Sequence, residues 1–191
     1  LYKDGERYPD EDKIYTTDKN GEITVNDLPY GTYYLKEISA PEGFVLPEGD
    51  AAVSSSVVID EKTSVSTVDI NVIAIGNERI YGSLKLKKVD SNGKELSGAE
   101  FYLVKVEDGS EKNVKLNGEG GSYSLDMEAS GVQERQTLVT DGAVLSVTGL
   151  PYGTYRVYES KAPKGYNRVE SPFEFVIDEQ GKAVTYDFEN S

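Results

Sequence analysis

The sequence predicts an all-β protein built from two antiparallel β-sandwiches in series, and three observations support this fold class. Apolar and polar residues alternate with period two in short blocks, such as YYLKE at 33–37, LKLKK at 84–88 and YRVYE at 155–159. Turn-forming stretches separate these blocks, among them DKNG, SNGK and DEQGK. The composition is rich in Tyr (14) and Gly (19) and holds a single Met, which favours strands and turns.

A duplication explains why two sandwiches are expected. The hexapeptide LPYGTY occurs at 28–33 and again at 150–155. The blocks around it correspond in the same order: 13–44 with 136–166, 55–62 with 173–180, and 71–77 with 184–190. Repeated blocks in a fixed order indicate tandem duplication. We therefore expect two domains, at 1–79 and 80–191, and we interpret LPYGTY as the turn into the strand that follows it.

The two halves differ at their beginnings. The second half opens with a strand-like segment at 81–101 for which the first half has no counterpart. The first domain is therefore expected to lack its opening strand. Either the sequence was cut inside a domain or that strand comes from elsewhere.

Charge and composition exclude several functions. A formal net charge of −14 without basic clusters argues against nucleic acid and anionic membranes as partners. No apolar run is long enough to span a bilayer, so no membrane insertion by this segment is expected. The absence of Cys and His excludes disulfides, thiolate metal sites, Ser/His/Asp and Cys/His catalysis and His-based zinc sites. No cofactor is expected.

Three polar side chains fall in register with apolar neighbours on predicted strands. The predicted faces are Leu84, Leu86 and Lys88; Tyr155, Val157 and Glu159; and Val184, Tyr186, Phe188 and Asn190. Alternation alone favours strand-end residues whose polar groups reach water, because Lys and Glu are seldom buried unless paired. A structural ion pair is a second interpretation.

Several of these stretches carry a family resemblance. LKLKKVDSNGKELSGAEFYL, LPYGTYRVYESKAPKGY and the closing FEN resemble the Cna B-type domain of Gram-positive pilins and surface adhesins. The resemblance covers 81–191, and 1–80 is similar without the first strand. It implies immunoglobulin-like or prealbumin-like sandwiches in an extracellular, cell-wall-anchored structure. Its implied partners are neighbouring domains or pilin subunits, with host extracellular matrix as a further candidate.

The resemblance also implies a chemical role for the three polar residues. In that family a lysine on the first strand forms an isopeptide bond with an Asn or Asp on the last, assisted by a Glu. The matching residues are Lys88, Asn190 and Glu159. In the first domain Glu37 matches the Glu and Asn77 is the candidate acceptor, while no residue matches the lysine.

Burial of the lysine and the glutamate would explain how the expected bond forms. An ammonium in an apolar core loses its proton readily, which exposes a nucleophilic amine, and the same surroundings favour a neutral carboxyl group. We expect Glu159 to donate a hydrogen bond to the Asn190 side-chain carbonyl and to pass a proton to the leaving ammonia. Because the product stays in place, the protein would crosslink itself once and would not be an enzyme.

Other interpretations remain open in part. Asp90 and Asn92 could contribute to a calcium site, but their spacing does not fit the twelve-residue loop pattern. The polar, Gly-rich stretch at 106–121 predicts a loop or an insertion. A ligand-binding adhesin module could use the larger insertion at 106–135, where Tyr123 is the one aromatic anchor. Since a YPKN-type pilin motif is missing, the sequence does not decide between a polymerising pilin and a monomeric adhesin.

Overall fold

The structure, a computed structural model, describes residues 1–63, 74–129, 131 and 134–191. Regular structure in these residues is almost entirely β, with one short 3-10 helix at Gly49–Ala52. No helix in these ranges has the length and apolar character needed to cross a membrane. The strands, in chain order, are β1 (Tyr2–Lys3), β2 (Glu6–Arg7), β3 (Gly31–Tyr34), β4 (Phe44–Val45), β5 (Val57–Ile59), β6 (Glu78–Arg79), β7 (Tyr81–Asp90), β8 (Glu100–Glu107), β9 (Ser110–Asn113), β10 (Leu116–Glu119), β11 (Ser122–Leu125), β12 (Leu138–Val139), β13 (Val144–Pro151), β14 (Gly153–Lys161), β15 (Phe173–Ile177) and β16 (Ala183–Asn190).

The chain divides into two compact units. The first unit comprises Leu1–Glu42 and Leu46–Glu78, and the second comprises Gly43–Val45 and Arg79–Ser191. The division after Glu78 lies close to the boundary expected from the duplication. The short segment Gly43–Val45, which carries β4, groups with the second unit instead of the first.

Two sheets form the second unit. One has the strand order β10-β11-β13-β7-β16, and the other has the order β12-β8-β14-β15, with β9 paired to β8. Most neighbouring strands are antiparallel, as the sequence predicts. Two pairs are parallel, however: β11 with β13 and β7 with β16. The parallel pairing of β7 and β16 needs no tight turn, because almost the whole unit lies between them in the chain.

The alternation in the sequence determines which side chains form the core between the sheets. On β7, Leu84 and Leu86 are 1% and 0% exposed, whereas Lys85 between them is exposed. On β14, Tyr155 and Val157 are both fully buried. A core-facing apolar residue at every second position is what buries both sheet faces against each other. The predicted faces of β7 and β14 are therefore confirmed.

The segment at 106–121 is not the loop that its composition predicted. It forms the end of β8, all of β9 and β10, and the turn into β11. Gly118, Gly120 and Gly121 adopt positive φ angles, so the glycines that suggested a loop build the β10–β11 hairpin. Leu116 and Tyr123, on either side of that turn, are buried in the core.

The repeated hexapeptide is a turn in both units, as predicted. In the second unit β13 ends at Pro151 and β14 begins at Gly153. The hydroxyl of Tyr155 donates a hydrogen bond to the carbonyl oxygen of Pro151 at 2.8 Å, and Tyr33 donates to Pro29 at 2.7 Å. Each tyrosine therefore locks the turn that starts its own strand.

The first unit contains one sheet with the order β2-β1-β3-β5. Among its described residues, Tyr33 and Ala52 are the buried hydrophobic side chains, while Ile14 and Val58 are 60% and 52% exposed. All strand pairs of this sheet are antiparallel, so its described residues contain no counterpart of the parallel pair β7 and β16. The predicted closing strand at 71–77 lies partly outside the described residues, and its described part is not a strand.

Replacing Gly82 with alanine should destabilise the second unit. A Cβ at Gly82 would lie 2.6 Å from the Lys182 carbonyl oxygen and 2.8 Å from Cδ1 of Ile177. Since a backbone atom cannot rotate away, we expect a loss of about 1 to 3 kcal/mol in the free energy of unfolding. Urea denaturation followed by circular dichroism measures this loss. Gly76→Ala, where the new Cβ meets nothing within 4 Å, is the control. Equal stability of the two variants would contradict the close approach at Gly82.

Candidate functional site

Three strands bring Lys88, Glu159 and Asn190 together in the core of the second unit. Lys88 lies near the end of β7, Glu159 near the end of β14 and Asn190 at the end of β16. Their exposed fractions are 0%, 2% and 1%. Burial this complete excludes the interpretation that these polar groups reach water at strand ends.

Register explains why the three residues meet. In the parallel pair of β7 and β16, Phe188 lies beside Lys88 and Asn190 beside Asp90. Lys88 continues the inward face of β7, and Asn190 continues the inward face that Phe188 occupies on β16. Glu159 is the next inward residue after Val157 on β14, in the opposite sheet. The site therefore joins the two sheets of the sandwich.

The amine of Lys88 has polar neighbours on two sides. Its Nζ donates a hydrogen bond to the carbonyl oxygen of Phe188 at 2.5 Å and a longer one to that of Val89 at 3.4 Å. Oε1 of Glu159 is 3.8 Å from Nζ. The ring of Phe188 lies 5.2 Å from Nζ, within the range of a cation–π contact.

The side-chain amide of Asn190 is held by its nitrogen. Nδ2 donates one hydrogen bond to Oε2 of Glu159 at 2.9 Å and another to the backbone carbonyl oxygen of Asn167. The backbone N–H of Val169 donates to the same Oε2 at 2.9 Å. Oδ1 of Asn190 and Oε1 of Glu159 are buried without a hydrogen-bond partner among the described residues.

This geometry corrects the expected direction of one hydrogen bond. We expected Glu159 to donate to the carbonyl oxygen of Asn190, but Asn190 donates to Glu159 through Nδ2. The physical reason is the carbonyl of Asn167, which can only accept a hydrogen bond and therefore requires the amide nitrogen on its side. Glu159 consequently faces the nitrogen that would leave in a transamidation.

Burial also changes the acidity of the amine. Removal from water lowers the pKa of the Lys88 ammonium below its ordinary value, while the carboxylates of Glu159 and Glu189 act in the opposite direction. The buried lysine thus releases its proton more easily than a lysine in water. A neutral amine is the nucleophilic form.

The two oxygens of Glu159 face different reacting groups. Oε1 is on the side of the Lys88 amine, and Oε2 contacts the amide nitrogen of Asn190. A carboxyl group in this position can accept a proton from the amine and deliver one to the amide nitrogen. The arrangement is suited to moving a proton between an attacking and a leaving nitrogen.

The first unit contains a related pair without a lysine. Nδ2 of Asn77 donates to both carboxylate oxygens of Glu37, at 3.0 Å each, and both side chains are half-buried. No ion pair between a lysine and Glu37 occurs among the described residues. The acid and the amide of this unit are thus in direct contact.

The sequence did not identify the backbone groups of the site. The carbonyls of Phe188 and Asn167 and the N–H of Val169 contact the three central side chains. Every residue type has these groups, so no residue pattern could have indicated them.

Two other candidate residues have structural roles. Oδ1 of Asp90, considered as a calcium ligand, accepts the backbone N–H groups of Asn92 and Lys94 and so closes a turn. Tyr123, considered as a surface anchor, is 7% exposed, and its hydroxyl accepts the N–H of Val139 at 3.0 Å. Tyr123 is therefore a core residue.

Sequence comparison identifies one family. The model of the family described as SpaA, prealbumin-like fold domain, matches residues 1–72 and 82–191. None of the curated proteins matches the sequence.

Solved structures show where the fold recurs. The Bacillus anthracis TIE protein is similar with a TM-score of 0.58 and 26% identity, over 92% of this chain and 28% of that one. A streptococcal ancillary pilin has a TM-score of 0.49 and 24% identity, over 85% and 45% of the two chains. GBS52, the minor pilin of Streptococcus agalactiae, has a TM-score of 0.44 and 26% identity, over 92% and 66%. This chain thus spans less than half of the first two of these proteins.

The lowered pKa of Lys88 predicts how stability depends on pH when no bond can form. In Asn190→Ala, Lys88 has a lowered pKa in the folded state and its ordinary pKa in the unfolded state. Between these two pKa values the unfolded state binds more protons than the folded state. Stability should therefore rise as the pH approaches the ordinary lysine pKa of about 10.4 from below. Urea midpoints at several pH values measure the rise. The double variant Asn190→Ala/Lys88→Met should not show this rise in stability. If the urea midpoints of both variants changed with pH in the same way, the prediction would be wrong.

Proposed function

The chain belongs to the SpaA family of prealbumin-like fold domains, and on that premise we propose that it is a shaft or stalk segment of a Gram-positive surface pilin or adhesin. It acts outside the cell, in a structure anchored to the cell wall, next to further domains or subunits of the same structure. In this proposal 1–79 and 80–191 are two Cna B-type domains, the second crosslinked by an isopeptide bond between Lys88 and Asn190.

One observation carries the proposal: a lysine, a glutamate and an asparagine are buried together between two apolar sheets. Lys and Glu are rarely buried this completely, and an ion pair alone stabilises a core poorly because both charges lose their hydration. The pair Lys88–Glu159 is 3.8 Å apart, and the Asn190 amide is bound to the same carboxyl group. A nucleophile, a proton carrier and an electrophile are what transamidation requires.

The proposed reaction is balanced within the site. Nζ of Lys88, as the neutral amine, attacks Cγ of Asn190 and passes one of its two hydrogens as a proton to the carboxylate of Glu159. The bond from Nζ to Cγ forms, and the bond from Cγ to Nδ2 breaks. The carboxyl group of Glu159 gives its proton to Nδ2, so that ammonia leaves, and no external reactant is consumed. The reaction occurs once in each molecule, so this segment is not an enzyme.

The bond would fix the path of tension through the unit. β7 begins at Tyr81 and β16 ends at Asn190, and the two strands run parallel as direct neighbours. Tension applied at both ends of the unit shears this pair. With the bond in place, tension passes from Lys88 directly to Asn190 and bypasses the residues between them. A comparable disulfide that closes a loop of about 100 residues stabilises by about 4 to 5 kcal/mol.

The mass of the intact protein tests the reaction. We expect the purified chain to weigh less than its sequence requires by one ammonia, and its tryptic digest to contain a branched peptide that joins Lys88 to Asn190. Glu159→Ala should restore the full mass, because the proton carrier is lost.

A matched variant controls for unspecific effects. Glu37→Ala removes the corresponding carboxylate of the first unit and should leave the mass deficit in place. A full mass for the unmodified chain would refute the proposed function, and so would a deficit that survives in Glu159→Ala.

For the first unit we propose that Glu37 and Asn77 are the proton carrier and the acceptor for a lysine on an opening strand outside the described residues. Support comes from their direct hydrogen bonds and from their places in the duplicated pattern. In the second unit, β7 supplies the corresponding lysine in the sequence SLKLKKVD at 83–90.

A synthetic peptide can test this half-site. The N-terminally acetylated peptide SLKLKKVD should form an adduct whose mass is the sum of chain and peptide less one ammonia, with the lysine equivalent to Lys88 bound to Asn77. A peptide with arginine at that position should not react, because guanidinium stays protonated. Asn77→Ala should abolish the adduct. Failure of the unmodified chain to react over days at millimolar peptide would exclude the half-site.

The alternative function, a ligand-binding module that uses the insertion at 106–135, loses its main support. Tyr123, the one aromatic anchor in the insertion, lies in the core. Much of the insertion is built into strands β9, β10 and β11. We therefore favour the shaft.

A further inference from the structure

Resting on the proposed reaction, we propose that the backbone carbonyl of Asn167 makes the second unit specific for asparagine over aspartate at position 190. The carbonyl belongs to the connection between β14 and β15. We call residues 166–169 of this connection the strap. The strap contacts the site through two groups, the carbonyl of Asn167 and the N–H of Val169.

The strap is anchored at both ends, so its carbonyl has a fixed position. The backbone N–H and side-chain Nδ2 of Asn167 both donate to the carbonyl oxygen of Ser191, at 3.1 Å and 3.4 Å. The hydroxyl of Tyr166 donates to Oδ2 of Asp90 at 3.4 Å. The N–H of Val169 is bound to Glu159. These anchors tie the strap to the ends of β7, β14 and β16, the strands that carry the reacting residues.

The number of hydrogens decides which side chain fits. An amide nitrogen carries two hydrogens, and Nδ2 of Asn190 faces two acceptors, Oε2 of Glu159 and the carbonyl oxygen of Asn167. Each hydrogen therefore has one acceptor. An aspartate oxygen in the same place carries one hydrogen at most, and none when ionised. At least one acceptor would then face a bare oxygen in a buried site, which is costly.

The same carbonyl favours departure of ammonia. As Nδ2 takes the proton from Glu159 it gains positive charge, and a hydrogen bond to an acceptor strengthens as its donor becomes charged. The carbonyl of Asn167 already accepts from this nitrogen. It therefore stabilises the leaving group in the transition state more than in the starting amide. An ionised aspartate oxygen carries no hydrogen for this carbonyl, and a protonated one has a single hydrogen for the two acceptors until it is protonated again.

Kinetics of bond formation test the specificity. The chain is synthesised in a cell-free system, samples are quenched in acid over time, and the crosslinked fraction is measured by mass spectrometry of tryptic peptides. Asn190→Asp should react about ten- to hundredfold more slowly, as expected for one unsatisfied buried acceptor. Asn92→Asp adds the same charge in an exposed turn and should react at the unmodified rate.

A variant of the strap distinguishes the effect of the Asn167 carbonyl from the intrinsic difference in reactivity between an amide and a carboxylic acid. Asn167→Pro removes both donors to Ser191 and frees the carbonyl from its position. In Asn167→Pro, bond formation with Asn190 and bond formation after Asn190→Asp are both measured. The ratio of the first rate to the second should fall about tenfold, mostly because the reaction with Asn190 becomes slower. Asn167→Ala keeps the backbone N–H and should preserve the ratio. An unchanged ratio in a folded Asn167→Pro protein would overturn the proposal.

A second measurement does not depend on bond formation. In Lys88→Met/Glu159→Ala no bond can form and the Glu159 carboxyl group is gone, so the carbonyl of Asn167 is the remaining acceptor of Asn190. One side-chain amide proton of Asn190 should then exchange with solvent at least about tenfold more slowly than those of exposed Asn92. Equal exchange would show that the contact with Asn167 does not hold the amide, which overturns the proposal. If the amide is protected but the unmodified chain never loses ammonia, the proposed function fails while the contact stands.

Discussion

The burial of one amine is the constraint on which the rest of the second unit depends. Lys88 is fully buried, and the oxygens around its amine are the backbone carbonyls of Phe188 and Val89 and, at 3.8 Å, Oε1 of Glu159. A lysine and a carboxylate that lose their hydration cost more free energy than a weak contact at 3.8 Å returns. The proposed reaction lowers this cost, because the amine that can ionise becomes part of a neutral amide and ammonia leaves, while Glu159 is returned unchanged. The apolar core thus favours the product over the reactants, in addition to lowering the pKa of the amine.

The topology would make the proposed bond a mechanical element. Parallel neighbours at the beginning and end of a unit are unusual for a sandwich of hairpins, since they require the whole unit as their connection. Here that arrangement puts the end of β16 next to the end of β7. A bond at this place leaves the sheets between them out of the path of tension, so they serve as a scaffold that buries the site. The core residues of both sheets thus support the proposed reaction by keeping the site buried.

The sequence predicted the side chains of the site better than their surroundings. Period-two alternation is a local property of a strand, so it put Lys88 and Glu159 on the same faces as apolar residues without knowledge of the partner strands. Alternation alone favoured polar groups that reach water, which their burial contradicts. The parallel pairing of β7 and β16 depends on contacts between residues far apart in the chain, which alternation does not encode. The strands within 106–121 were missed because glycine-rich polar composition is shared by loops and by tight hairpins. The direction of the hydrogen bond between Asn190 and Glu159 depends on a backbone carbonyl, which no side-chain pattern reveals.

The two units differ in how the acid and the amide are paired. In the first unit the amide of Asn77 contacts both oxygens of Glu37. In the second unit the amide of Asn190 contacts Oε2 alone, and Oε1 of Glu159 is turned toward the amine of Lys88. In our proposal, the amine of an opening strand competes with the amide for one of the two carboxylate oxygens. Such competition places the carboxyl group between the two nitrogens, which is the position that proton transfer from one to the other requires.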